Sequence, residues 1–167
     1  MPKTARTTAV VLGSLGAAAA IASSAASAQT VEFPQTPSLF YGGLCGGNIR
    51  TWADTSPDQP GRAIINIQAL PIQGVGDGRY PFAPLCDVDT TVAWRNTTTG
   101  QAGEFRQNVV AGIYGSILYA QYQDTGPGHI EVTVSTANQN VPARGSFEVP
   151  GPPPGPPPAE PAPAPAP

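Results

Sequence analysis

Lysine occurs once in this chain, as Lys3, and histidine once, as His129. Cysteine occurs only twice and charged residues make up just 11%. Each scarcity excludes something. A Ser–His–Asp relay would depend on His129 alone, which abuts the turn Gly126-Pro127-Gly128, and no GxSxG elbow surrounds any serine. A zinc site needs three or four closely spaced His, Cys, Asp or Glu ligands, which one histidine and two cysteines hardly supply. Beyond residue 28 there are six Arg and no Lys against eleven Asp and Glu, a net charge near −5. That balance lacks the basic patch that draws nucleic acid, and it disfavours anionic membrane surfaces.

What is present begins with residues 1–28. Lys3 and Arg6 precede an alanine-rich apolar run from Ala9 to Ala22, then Ala26-Ser27-Ala28. A positive start, a short apolar run and a small-x-small site are the layout of a secretory signal peptide cut between Ala28 and Gln29. The run is too short and too alanine-rich for a membrane span of roughly 20 strongly apolar residues. No cysteine stands at the cut to take a lipid. The expected product is secreted or held at the cell envelope, with no membrane span after cleavage.

In an exported chain, Cys45 and Cys86 are expected to form one disulfide. It would close a loop of about 41 residues, for which chain entropy alone gives about 4 kcal/mol. Neither cysteine lies in a CxxC spacing, which argues against redox chemistry.

Residues 29–149 are long enough for one domain and too short for two. The 21 prolines and 19 glycines leave little room for helix. Residues 29–47 read as an irregular lead-in, because Pro34 and Pro37 interrupt regular structure. Residues 48–53 suit a short strand. Arg62 to Leu70 alternates, with Ala63, Ile65, Ile67 and Ala69 on one face. Cys86 to Asn96 is the clearest strand: Cys86, Val88, Val92 and Trp94 share one parity, and Asp87, Asp89, Thr91 and Arg95 the other. That shared parity places the bridge on the side of Trp94. Thr97 to Gly100 reads as a hairpin loop. Residues 107–122 fit either a helix or two strands bent near Gly112 to Ser116; the glycines, β-branched residues and tyrosines favour strands. His129 to Thr136 and Gly145 to Val149 complete the pattern.

About seven short strands separated by turns predict an all-β, antiparallel β-sandwich with one disulfide. It is similar in architecture to the immunoglobulin-like class, although the Cys…Trp…Cys order of that class is missing. A small, partly open barrel is the other reading. From Pro150 to Pro167, eleven of eighteen residues are proline. This tail is expected to be disordered or extended polyproline II, reaching about 55 Å. Glycine does not recur every third residue, which excludes collagen.

The expected function is therefore that of a non-enzymatic structural or binding domain outside the cytosol. Its partners would be envelope components, or another protein gripping the proline run. No catalytic residue, metal or cofactor is expected. Candidate binding residues are Tyr114, Tyr119 and Tyr122, which could offer a sugar or protein platform. Asp54 with Asp58, and Asp87 with Asp89, read as solvated acids rather than a calcium site. Asn96-Thr97-Thr98 matches an N-glycosylation acceptor. A small secreted hydrolase with a site not visible in the sequence is the alternative class.

Overall fold

The computed structural model describes residues 27–41, 45–74 and 85–155. Residues 1–26 of the signal peptide and residues 156–167 of the tail lie outside the described residues. Among the described residues there are ten strand segments: β1 (Gln29–Glu32), β2 (Thr36–Leu39), β3 (Cys45–Thr55), β4 (Ala63–Ala69), β5 (Gln73–Gly74), β6 (Cys86–Asn96), β7 (Ala102–Ala111), β8 (Tyr119–Gln123), β9 (Gly128–Thr136) and β10 (Ala143–Val149).

They form two antiparallel sheets. In the first, β1-β3-β4-β8 lie side by side, while β2 and β5 also pair with β3. The second runs β10-β9-β6-β7. β1 and β2 follow one another along one flank of β3, and β4 and β5 along the other. Period-two alternation builds the core between the sheets. Ile49, Ile65 and Ile67 of the first sheet and Val92, Val109, Ile130 and Val134 of the second have no measurable exposure.

Several boundaries match the sequence pattern closely. β6 spans Cys86–Asn96 with Cys86, Val88, Val92 and Trp94 inward. Residues 107–122 contain strand, turn and strand rather than helix. The lead-in differs from expectation, because β1 and β2 are regular strands. Pro34 falls in the break between them. Pro37 is tolerated in β2 because this strand lies on the sheet edge, where a missing N–H leaves no ladder bond open.

Cys45 and Cys86 are joined, with Cα atoms 6.4 Å apart. They open β3 and β6, so the disulfide ties the two sheets together at one end. Trp94 shares the inward face of Cys86 but stands eight residues along the strand, about 26 Å away at 3.3 Å per residue. Shared parity fixed the face and not the neighbourhood.

The long sides of the sandwich close differently. On one side, Leu39 N–H donates to Gln139 O (3.0 Å), Val141 N–H to Pro37 O (3.1 Å), and the Ser38 and Thr136 hydroxyls meet at 2.6 Å. On the other, the inward side chains of β8 each reach the second sheet. Val110 N–H donates to the Tyr119 hydroxyl (3.3 Å), the Gln121 amide to Gln107 (3.2 Å), and the Trp94 indole N–H to Gln123 (3.1 Å).

Candidate functional site

Two glycines organise the turn after β7. Gly112 and Gly115 exchange backbone hydrogen bonds of 3.1 and 2.9 Å, leaving Ile113 and Tyr114 at the apex. Gly115 has φ of +84°, and a Cβ there would lie 2.5 Å from the Ala69 carbonyl oxygen. Glycine is required on both counts. The turn is clamped to the end of β4: Ser116 N–H donates to Ala69 O (3.0 Å), Ala69 N–H donates to Ser116 Oγ (2.8 Å), and Ile72 N–H donates to Gly112 O (3.2 Å). Cys86 pairs with Ala111 in the ladder, so the disulfide lies at the base of this turn.

The clamped turn carries apolar side chains into solvent. Tyr114 is 91% exposed, Leu85 76%, Ile117 72% and Ile113 51%. Val110 and Leu118, which flank the turn in sequence, are 40% and 49% exposed, and the Leu85 side chain lies beside Gly112. Turn apices normally hold Gly, Asn, Asp or Ser, whose backbone preferences or local hydrogen bonds suit the bend. Tyr114 at the apex is almost wholly exposed and buries little of its ring against the domain. A contiguous exposed apolar surface is the usual mark of an interaction site.

The candidate tyrosines fall in three settings. Tyr114 is at this tip. Tyr119 points between the sheets, half-buried, with its hydroxyl holding Val110 N–H. Tyr122 projects from the outer face of the first sheet opposite Ile64, 65% exposed. Leu85, Ile113 and Ile117 are not among the binding residues expected from the sequence, where Ile113 and Ile117 read as part of the ambiguous apolar pattern of residues 107–122. The signal available was the Gly-Ile-Tyr-Gly spacing, two large apolar residues between glycines that close a tight turn.

The other chemical groups are engaged elsewhere. His129 Nδ1 lies 2.6 Å from Glu148 Oε1 on an exposed strand pair. Asn108 donates 2.9 Å hydrogen bonds to both Asp87 and Asp89. Asp54 accepts from Thr30 and from Asn66, while Asp58 sits in the following turn with its N–H on Ser56. On the outer face of the first sheet, Arg50 covers the Trp52 ring at 4.7 Å and grips Glu32 with bonds of 2.8 and 3.0 Å. That hydrogen bonding, reinforced by the guanidinium charge, holds the Glu32 carboxyl below its usual range. Among the described residues, no cluster of three or more His, Cys, Asp or Glu could hold a metal ion.

Asn96 of the glycosylation sequon is fully buried. Its amide nitrogen donates to Thr125 O (2.9 Å) and Pro127 O (3.0 Å), and its Oδ1 accepts from Thr98 and Thr99 N–H (2.9 and 3.0 Å). Both amide hydrogens are consumed, so the folded domain presents no acceptor nitrogen at this residue.

The chain matches no protein-family model, no curated protein and no solved structure.

Proposed function

We propose that this chain is an exported, non-enzymatic binding domain whose apolar tip docks on a partner protein at the cell envelope or outside the cell. The observation that carries the reading is the Ile113-Tyr114 apex, held rigid by Gly112, Gly115 and Ser116 and left bare to solvent. A preformed turn loses little entropy on binding, and exposed aliphatic and aromatic side chains supply the apolar contact. A protein partner is favoured over an anionic lipid surface because the chain beyond residue 28 has no lysine and is net acidic.

Export is supported by the leader pattern and by β1 beginning at Gln29, the residue after the expected cut. The immunoglobulin-like reading rests on two stacked antiparallel sheets joined by a disulfide, and it is architectural, carrying no function. The tail leaves at the end opposite the tip. Pro150 O accepts from Gly61 N–H ahead of β4, whereas the tip grips Ala69 at the far end of that strand. This polarity leaves the tip clear of the tail and free to meet a partner at the envelope. A role without catalysis is supported by the His129–Glu148 pair lying on an exposed strand pair with no Ser, Thr or Cys side chain hydrogen-bonded to the imidazole among the described residues.

The test fractionates medium, envelope and cytosol for the full chain and for an Ile113→Ser/Tyr114→Ser/Ile117→Ser variant. The expected protein starts at Gln29 and lies outside the cytosol. The variant keeps the parent melting temperature but loses its partner and shifts to the medium. Protein confined to the cytosol would refute export. Identical partitioning of variant and parent would refute the tip as the docking site.

A further inference from the structure

We infer that the open edge of β7 binds a second copy of this chain, strand to strand, in a two-fold register centred on Phe105. Among the described residues, β7 is the last strand of its sheet and pairs only with β6. Asn96 N–H donates to Gln101 O, and Asn96 O accepts from Gly100 N–H. Antiparallel ladder bonds recur at every second pair. Gly103, Phe105, Gln107, Val109 and Ala111 therefore bond to β6, and the even-numbered residues aim their backbone groups at the open edge. Val110 N–H, which reaches out to Tyr119, follows that parity. Ala102, Glu104 and Arg106 thus offer a hydrogen-bonding row along this edge, which Asn108 extends, its carbonyl also accepting from the Gln107 side-chain amide at 2.8 Å.

The side chains choose one register. Glu104 and Arg106 project from the same exposed face, 3.5 Å apart at their closest, with Phe105 between them. A two-fold axis at Phe105 sets Glu104 of each copy opposite Arg106 of the other, giving two opposite-charge pairs. Shifting the strand by one bonded step puts Glu104 opposite Glu104, or Arg106 opposite Arg106. Opposite charges facing across strands stabilise and like charges destabilise. The same axis sets Phe105 against its own copy at a non-bonded position, where Cα atoms approach to about 4.5 Å. Phe105 is only partly buried against the core, so this pairing would cover its remaining apolar surface. Charges on an edge strand ordinarily repel a second strand. The Glu-Phe-Arg order makes this edge self-complementary.

Sedimentation velocity of the mature chain over a micromolar concentration series tests the inference. The parent is expected to form a dimer. Glu104→Arg and Arg106→Glu each turn two attractive pairs into two repulsive ones, and each should weaken self-association about a hundredfold. Mixed in equal amounts, the two variants should recover the dimer as a heterodimer, because every facing pair is again opposite in charge. Both residues are exposed, so unchanged thermal melts are expected to accompany the changes. A monomeric parent would overturn the inference. So would a dimer that survives both single variants, or a mixture that stays monomeric.

Discussion

The indole of Trp94 lies over Gly103, its cross-strand partner, so closely that a Cβ on residue 103 would fall 2.5 Å from the ring. The missing side chain in β7 is the space the indole fills. Its N–H then reaches Gln123 in the other sheet. Phe33, between β1 and β2 of the first sheet, covers Gly145 across the core and stacks on Phe147 at 6.1 Å. Each aromatic thus covers a glycine near a sheet edge and carries the core out to the rim.

Gly103→Ala should destabilise the domain by about 1–3 kcal/mol, because the ring has to leave its position. The same change in a Trp94→Ala background should cost far less. Urea denaturation of the four proteins of this double-mutant cycle measures the coupling. Additive effects would show that the indole does not occupy this space in solution.

Parity made much of this legible. Cys86 to Asn96 alternates without a break, so both the span of β6 and its buried face could be read directly. Gly112 and Gly115 marked the bend between β7 and β8. Other features depend on tertiary placement. Nothing local shows that Ile113, Tyr114 and Ile117 stay bare, since the same apolar spacing serves a core strand equally well. Nor does Asn-Thr-Thr reveal that Asn96 is buried by the turn from Thr125 to Pro127, 29 to 31 residues away. β1 and β2 were masked by Pro34 and Pro37, because proline reads as a breaker until the strand is known to lie on an edge.

Thr90 is fully buried and its hydroxyl has no partner among the described residues. Valine has nearly the same shape and no polar atom. Thr90→Val should therefore raise stability by about 1 kcal/mol, since an unsatisfied buried hydroxyl costs about 1–3 kcal/mol. Chemical denaturation measures it. A loss of stability would show that the hydroxyl is satisfied in solution.

Glu32 gives an acid-side signature. Its carboxylate is favoured in the folded state by the Arg50 hydrogen bonds, so its folded pKa lies below the unfolded one. The stabilisation is complete above the unfolded value and is lost as pH falls through the lowered folded value. Carboxyl-detected NMR titration should place the Glu32 midpoint below that of an ordinary glutamate. Arg50→Gln should return it to the usual range. Identical midpoints in the two proteins would show that the pair does not persist in solution.

The disulfide ties stability to the tip. Cys45 and Cys86 begin strands in opposite sheets, and Cys86 lies beside Ala111, one residue before the Gly112–Gly115 turn. Cys45→Ala/Cys86→Ala removes the constraint on a 41-residue separation, and the expected loss is about 4 kcal/mol. The first consequence should be local. The sheet end that carries Ala111 loses its covalent tie, while the far end keeps the Asn96 network and the Trp94 contact. Hydrogen exchange should therefore accelerate more at the Gly112, Gly115 and Ser116 amides than at Thr98 or Gly100. Uniform acceleration across both ends would mean that the bridge stabilises the domain as a whole and does not brace the tip. Thiol titration of the unfolded, unreduced parent provides the control: two free thiols would show that the bridge is absent in solution.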